Sequence, residues 1–203
     1  MALLTVEGVR STTLDRIARA AGITKRTLYY YFRSKDDLLA ECLAQEAVKD
    51  RAEMLRTKER SANVAKLVER LFSSIAESAR DPRWKGCAFA RATFELAGLP
   101  GHPVVKAAKD HKAKIEAILT SALRAAGAVD AEKYARWLIL LYDGAISQSV
   151  LRHDPSCGAE AGHLALYIVQ LALEGVPMET SSWVPRSSPH EPVSNCHWRL
   201  RYA

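Results

Sequence analysis

The segment from Thr12 to Asp37, TTLDRIARAAGITKRTLYYYFRSKDD, constrains the fold most, because it spells two short helices around a glycine turn and the capped start of a third. Thr12 is placed to N-cap the first helix, with Asp15 three residues on as a variant capping box. Leu14, Ile17, Ala18 and Ala21 recur on one face. Gly22 suits the left-handed residue that ends a helix, Thr24 caps the next one, and Leu28 is spaced to staple back onto Ile23. Leu28 and Phe32, four apart, turn inward and leave Lys25, Arg26, Tyr29 and Tyr30 on the opposite side. Ser34 is placed to cap the third helix, expected to run from Lys35 to near Arg56.

Charge indicates what the outward face meets. From Arg10 to Lys35 there are seven basic residues against Asp15 alone, a net of +6, whereas Asp36 to Glu53 carries six acidic residues against Lys49 and Arg51, a net of −4. A basic helix-turn-helix beside an acidic neck points at the phosphates of double-stranded DNA. A solvated charged surface is the alternative, and the turn signature argues against it.

Carried on into TTLDRIARAAGITKRTLYYYFRSKDDLL, the segment resembles the second to fourth helices of the TetR family of bacterial transcriptional repressors. The likeness includes the paired threonines, the Ile-Ala and Ala-Gly pairs, Thr-Leu-Tyr, the Tyr-Phe close and Ser-Lys before an acid. It implies an all-α chain, with a three-helix DNA-binding head over residues 1–45 and a helical ligand-binding and dimerisation body over 46–175. It further implies that Thr13, Tyr29, Tyr30 and Lys35 contact phosphates and that Lys25, Arg26 and Thr27 lie nearest the base edges. Thr12 and Thr24 act mainly as caps. Leu14 stands where some members carry a base-reading arginine, and Arg26 where the family often has glycine. A guanidinium at Arg26 can bond the O6 and N7 of a guanine; a phosphate clamp is the alternative. The family's first helix starts well upstream of the residues matching Leu3, Leu4 and Gly8, so the first helix is expected to be short and held by packing. A sensor whose shortened head no longer grips DNA is the second reading.

The remaining chain reads as helix after helix. Val64, Leu67, Val68, Leu71, Phe72, Ile75 and Ala79 form a stripe that ends before Asp81-Pro82. A helix from about Cys87 to Ala97 is followed by Gly98, Pro100, Gly101 and Pro103. Val104, Ala108, His111, Ile115, Ile118 and Ala122 mark the next, and Asp130 can cap another in which the run Trp137 to Tyr142 is apolar all round and expected to be the buried central rod. Leu164, Ile168, Leu171 and Ala172 give a final stripe ending before Gly175. Residues 176–203, punctuated by four prolines, carry no period and are expected to be a disordered tail, with Trp183, Trp198 and Tyr202 able to dock.

With 48% hydrophobic and 26% charged residues over 203, one sizeable core plus a small head is affordable. The Trp137 to Tyr142 run is far below the roughly 18 apolar residues needed to cross a bilayer. The opening residues are too short an apolar stretch, without a basic leader, for a secretory signal. Cys42, Cys87, Cys157 and Cys196 form no Cys-x-x-Cys pair, which suits a reducing cytoplasm, and Cys42 lies on an apolar face. No cofactor or metal motif is present.

The resemblance implies a homodimer through the last two long helices, Ala131 to His153 and Ala159 to Glu174, and Gly144 in mid-helix is explained by close helix approach. The segment GCAFARATFELAGLPGHP, with DHK and LLYDGA, is similar to a TetR subgroup and names no ligand. Trp84, Cys87, Phe94, His111, Trp137 and Tyr142 are the candidate lining of a small-molecule pocket between helices; for each alone, core packing is the simpler account. Catalysis by Cys87 and His111, with Glu95 or Asp143, lacks any supporting spacing.

Overall fold

The computed structural model describes residues 7–61 and 63–175 of the chain. Among them the protein forms eight helices and no strand: α1 Leu14–Ala21, α2 Lys25–Tyr31, α3 Lys35–Ser61, α4 Val64–Ala79, α5 Ala88–Glu95, α6 Pro103–Ala125, α7 Ala131–Arg152 and α8 Ser156–Glu174. The expectations for residues 1–6 and for the tail 176–203 lie outside the described residues.

Local chemistry sets most boundaries. Gly22, at φ +66°, ends α1 while its amide and that of Ile23 donate back to the last turn. Thr24 accepts from the Thr27 amide to start α2, and the Ser34 hydroxyl accepts from the Asp37 amide to start α3. Thr13, not Thr12, caps α1: its hydroxyl accepts from the Arg16 amide, whereas the Thr12 hydroxyl donates to the Gly8 carbonyl at 2.5 Å. With the helix starting one residue later, Asp15 leaves the capping-box position and pairs with Lys25. Asp130 sits at the start of α7 but makes no side-chain cap bond. Ala21 is exposed, off the apolar face assigned to it, and α3 runs on to Ser61, with Lys58 and Arg60 complementing the negative end of the helix dipole.

Three apolar clusters result. The head's own core is Ala18, Leu28 and Leu38, with Leu14, Ile17, Phe32 and Cys42 packed on it. The body core joins Leu67, Val68, Phe72 and Ile75 of α4 to Leu119 and Leu123 of α6, Leu138 of α7 and Ala165 and Val169 of α8. Between them, Val9, Leu39, Leu43, Phe89, Ala92, Leu96, Val104 and Val105 form a third cluster that bolts head to body.

The body's outer faces correct three expectations. The Trp137 to Tyr142 run is not a buried rod: Leu138 is fully buried, but Leu140 is 66% exposed. In α8 the buried stripe is Gly158, Ala161, Ala165, Val169 and Ala172, while Leu164 is exposed and Ile168 and Leu171 are only partly covered. Small residues face inward because α8 lies close on α4; a Cβ at Gly158 would come within 2.8 Å of the Ala76 amide nitrogen. At Gly144 nothing lies within 4 Å of an added Cβ, so close approach inside this chain does not explain that glycine.

Candidate recognition surface and internal cavity

Capping at both ends of the turn fixes how α2 is presented. Leu28 anchors it into the head core, so Lys25, Arg26, Tyr29 and Tyr30 are all exposed, Tyr30 at 82%. Tyr31 is exposed as well and meets Tyr30 edge-on with ring centroids 5.0 Å apart. The run of three tyrosines was the signal that could have added Tyr31. Lys25 is tied to Asp15 at 3.1 Å, an exposed pair worth little, while Arg26 makes no hydrogen bond or ion pair among the described residues. Thr27 and Thr24 share a hydroxyl bond at 2.8 Å. Thr13 is exposed beside this face, but Thr12 is 1% exposed and serves the interior. The Lys35 ammonium donates to the Val9 carbonyl at 3.1 Å and so holds the segment before α1.

That segment is a strap. Gly8 takes φ +84°, and the Arg10 amide and guanidinium donate to the carboxylate and carbonyl of Glu95, at 3.0 and 2.9 Å, while Arg16 pairs with Glu7 at 2.6 Å. The end of α5 is thereby fastened to the head by residues that sequence reasoning missed.

The other end of the same helix reaches a half-open cavity of about 280 Å³ lined by α3, α4, α5, α6 and α7. Cys87, His111 and Tyr142 are among the residues that line it. Trp84 lines a smaller adjoining cavity of about 180 Å³ that shares Cys87, Phe89 and Tyr142. Phe94 is not in the lining: it is 78% exposed, and Phe89 stacks on the His111 ring at 3.9 Å in its place. Phe89, Ala92 and Leu96 keep the helical period and Phe94 breaks it, so periodicity could have chosen correctly. Trp137 also lies elsewhere, edge-on to Tyr134 and under the Lys133 ammonium. Glu95 and Asp143, weighed as partners for catalysis, are engaged by Arg10 and Lys112 respectively, and among the described residues no His/Cys/Asp/Glu group could hold a metal.

The polar lining is shaped by burial. His111 is 6% exposed, and burial, reinforced by Lys112 and Arg51, pushes its imidazole down to about 4. Burial and then Glu46 push the Asp50 carboxyl up to about 6. The Tyr142 hydroxyl is held protonated by burial, and the Lys112 ammonium lies 5.1 Å over its ring. These shifts oppose each other in acid. Since the ordinary imidazole value is 6.5, the unfolded chain takes up a proton that folded His111 refuses, so stability falls as pH falls from 6.5 toward 4, by roughly 3 kcal/mol in total. Asp50 binds its proton earlier folded than unfolded, so between about pH 6 and 3.8 acidification relieves it, less fully because its side chain is 47% exposed. Asp50→Asn is therefore expected to steepen the loss of stability between about pH 6.5 and 4. Urea unfolding at several pH values checks this, and curves parallel to wild type would contradict it.

Residues 1–42 match the family model described as bacterial regulatory proteins, tetR family. The HTH-type transcriptional regulator AcrR of Shigella flexneri is 46% identical over 39 residues, a match spanning 19% of this chain and 18% of that relative's length. Likeness over the whole fold comes from solved structures. The sav143 protein of Streptomyces avermitilis is 28% identical, with 84% of this chain and 92% of that one covered and a TM-score of 0.74. SCO4454, a TetR-family transcriptional regulator from Streptomyces coelicolor, is 30% identical, with 85% of this chain and 90% of that one covered and a TM-score of 0.76. A relative of known family thus shares the fold over most of both chains, and the chain belongs to the TetR family of transcriptional regulators.

Proposed function

We propose that the protein acts in the cytoplasm as a homodimeric repressor, binding a palindromic operator through its heads and released by a small organic effector in the α3–α7 cavity. It works by binding, without catalysis. The observation that carries the reading is α2, whose basic and aromatic side chains stand clear of the chain while its caps and Leu28 hold it rigid. Residues 1–45 serve as the head, with a core of its own, and 46–175 as the body. No helix among the described residues is long and apolar enough to cross a membrane.

Dimerisation is supported by what α7 and α8 leave uncovered. Leu140, Gly144 and Leu151 lie on one outer face of α7, and Leu164, Tyr167 and Leu173 are exposed on α8. A two-fold built there would give Gly144 the close helix approach that the single chain lacks. It would also present two α2 helices to half-sites one helical turn apart.

Release would travel through α5. Phe89 lines the cavity and stacks on His111, and Glu95, at the helix's other end, holds the strap that fastens the head. An effector that fits only a displaced α5 shifts the dimer away from DNA by its differential affinity for the two states. Coupling of about 1 to 3 kcal/mol changes operator affinity roughly 5- to 150-fold.

Selection of bound duplexes from a random pool tests the reading: a palindrome with half-sites one turn apart is expected, and indifference to every duplex at low ionic strength overturns it. With the operator known, Arg26→Ala is expected to cost about 1 to 3 kcal/mol and to relax preference at one position of each half-site. A uniform loss across operator variants would instead make Arg26 a phosphate clamp.

A further inference from the structure

The cavity wall holds two polar groups that the chain leaves incomplete. Neither nitrogen of the buried His111 ring makes a hydrogen bond: Nδ1 is enclosed without a partner, and Nε2 lies 3.7 Å from Asp50 Oδ2, beyond bonding distance. The tautomer is therefore unset, and Nε2 is able to accept. Asp50 is the other. Lys112 pairs with Asp143, Arg70 with Glu77 and Glu53 with Arg56, whereas the one partner of Asp50 among the described residues is that imidazole. Around both lie apolar walls, including Met54, Leu71, Ile115 and the Phe89 ring.

We propose that the cavity takes a compact organic cation, an apolar body carrying a protonated amine whose N–H groups donate to Asp50 Oδ2 and His111 Nε2 across their 3.7 Å gap. The inference rests on the effector reading above and deepens it. An ammonium offers three donors and no acceptor, so one nitrogen can serve both groups, whereas an alcohol has one proton to give. A carboxylate would face Asp50 as a like charge. The volume of about 280 Å³ sits at the lower edge of the usual range for ligand pockets, roughly 300 to 1,000 Å³, which limits the guest to a small molecule.

Near neutral pH the gap presents an anion and a lone pair, since the Asp50 carboxyl titrates at about 6 and the imidazole at about 4. The other titratable groups around Asp50 are Glu46, Lys49, Arg51 and Glu53 on α3, Arg70 on α4, Cys87 at the start of α5, Lys112 on α6 and Tyr142 on α7. Lys112 is already engaged by Asp143.

The test is calorimetric titration of the full chain with compounds of matched skeleton: 2-phenylethylamine, 2-phenylethanol and phenylacetate, and the same three head groups on a panel of other small aryl and alkyl bodies. Amines are expected to bind on the order of 10- to 100-fold more tightly than the matching alcohols, and Asp50→Asn to erase that margin while sparing the alcohols. Should Asp50→Asn fail to fold, the wild-type protein at about pH 5 replaces it, where amine affinity should fall and alcohol affinity hold. No amine preference on any skeleton, no binding at all, or a preference that survives loss of the Asp50 charge overturns the proposal. Anisotropy of a labelled operator separates it from the reading beneath it. Amines that bind without loosening DNA remove the effector role and leave the ligand class standing, whereas release by alcohols or carboxylates alone removes the ligand class and leaves the effector role.

Discussion

Gly8→Ala is expected to destabilise the folded chain by about 2.5 to 5 kcal/mol and to weaken operator binding with it. Two costs combine. At φ +84° a side chain is strained by about 1 to 2 kcal/mol, and a Cβ there would lie 2.1 Å from Glu95 Oε1. The Glu95 carboxylate is the end of a flexible chain and can swing away, but only by giving up the Arg10 amide, a charge-assisted bond worth about 1.5 to 3 kcal/mol. Glu95→Ala removes the nearest obstacle and the bond together, leaving only the end of the flexible Arg91 side chain to shift, so the double variant should cost less than the sum of the two singles. Denaturant unfolding across the four proteins measures that coupling. Additive effects would mean that Gly8 and Glu95 do not act as one latch, and head-to-body fastening would have to rest on the Val9 cluster and the Arg10 guanidinium's bond to the Glu95 carbonyl.

Leu140→Glu should turn the proposed dimer into monomers while leaving each chain folded. Leu140 is 66% exposed on α7, so in the single chain the substitution is expected to change stability by no more than about 0.5 kcal/mol. In a two-fold interface it counts twice, setting like charges against each other in an apolar contact. Such juxtapositions cost several kcal/mol, and about 4 kcal/mol corresponds to a roughly thousand-fold weaker association. Sedimentation velocity reads the mass directly, and operator affinity should fall with it because each head then binds alone. A variant that still sediments as a dimer would move the interface off this face, and a wild-type chain that is monomeric at working concentration would overturn the dimer itself.

How far the sequence could be read depended on whether the deciding interaction was local. Gly22 ended α1 and Ser34 started α3 where expected, and the stripe from Val64 to Ala79 became α4 to the residue, because each of these is settled by neighbours within a turn. The same reasoning slipped by one residue at Thr12, since the contest between two adjacent threonines was decided by the Gly8 carbonyl of the strap. Phe94, expected in the lining, falls off the buried period of α5 that Phe89 keeps, and Trp137, also expected there, lies against Tyr134 because its face is set by how α7 crosses its neighbours.

By itself the sequence determined an all-helical chain, the order of its helices, the caps around the turn and the outward lysine, arginine and tyrosines of α2, because capping and a 3.6-residue period are properties of short stretches. Only tertiary structure decided that Val9, Arg10 and Glu95 bolt head to body, that Phe89 and Asp50 meet His111 at a cavity, and that Leu140 and Leu151 of α7 and Leu164 and Leu173 of α8 stay outside. Those outcomes join residues up to 85 positions apart, through helix crossings that no local pattern encodes.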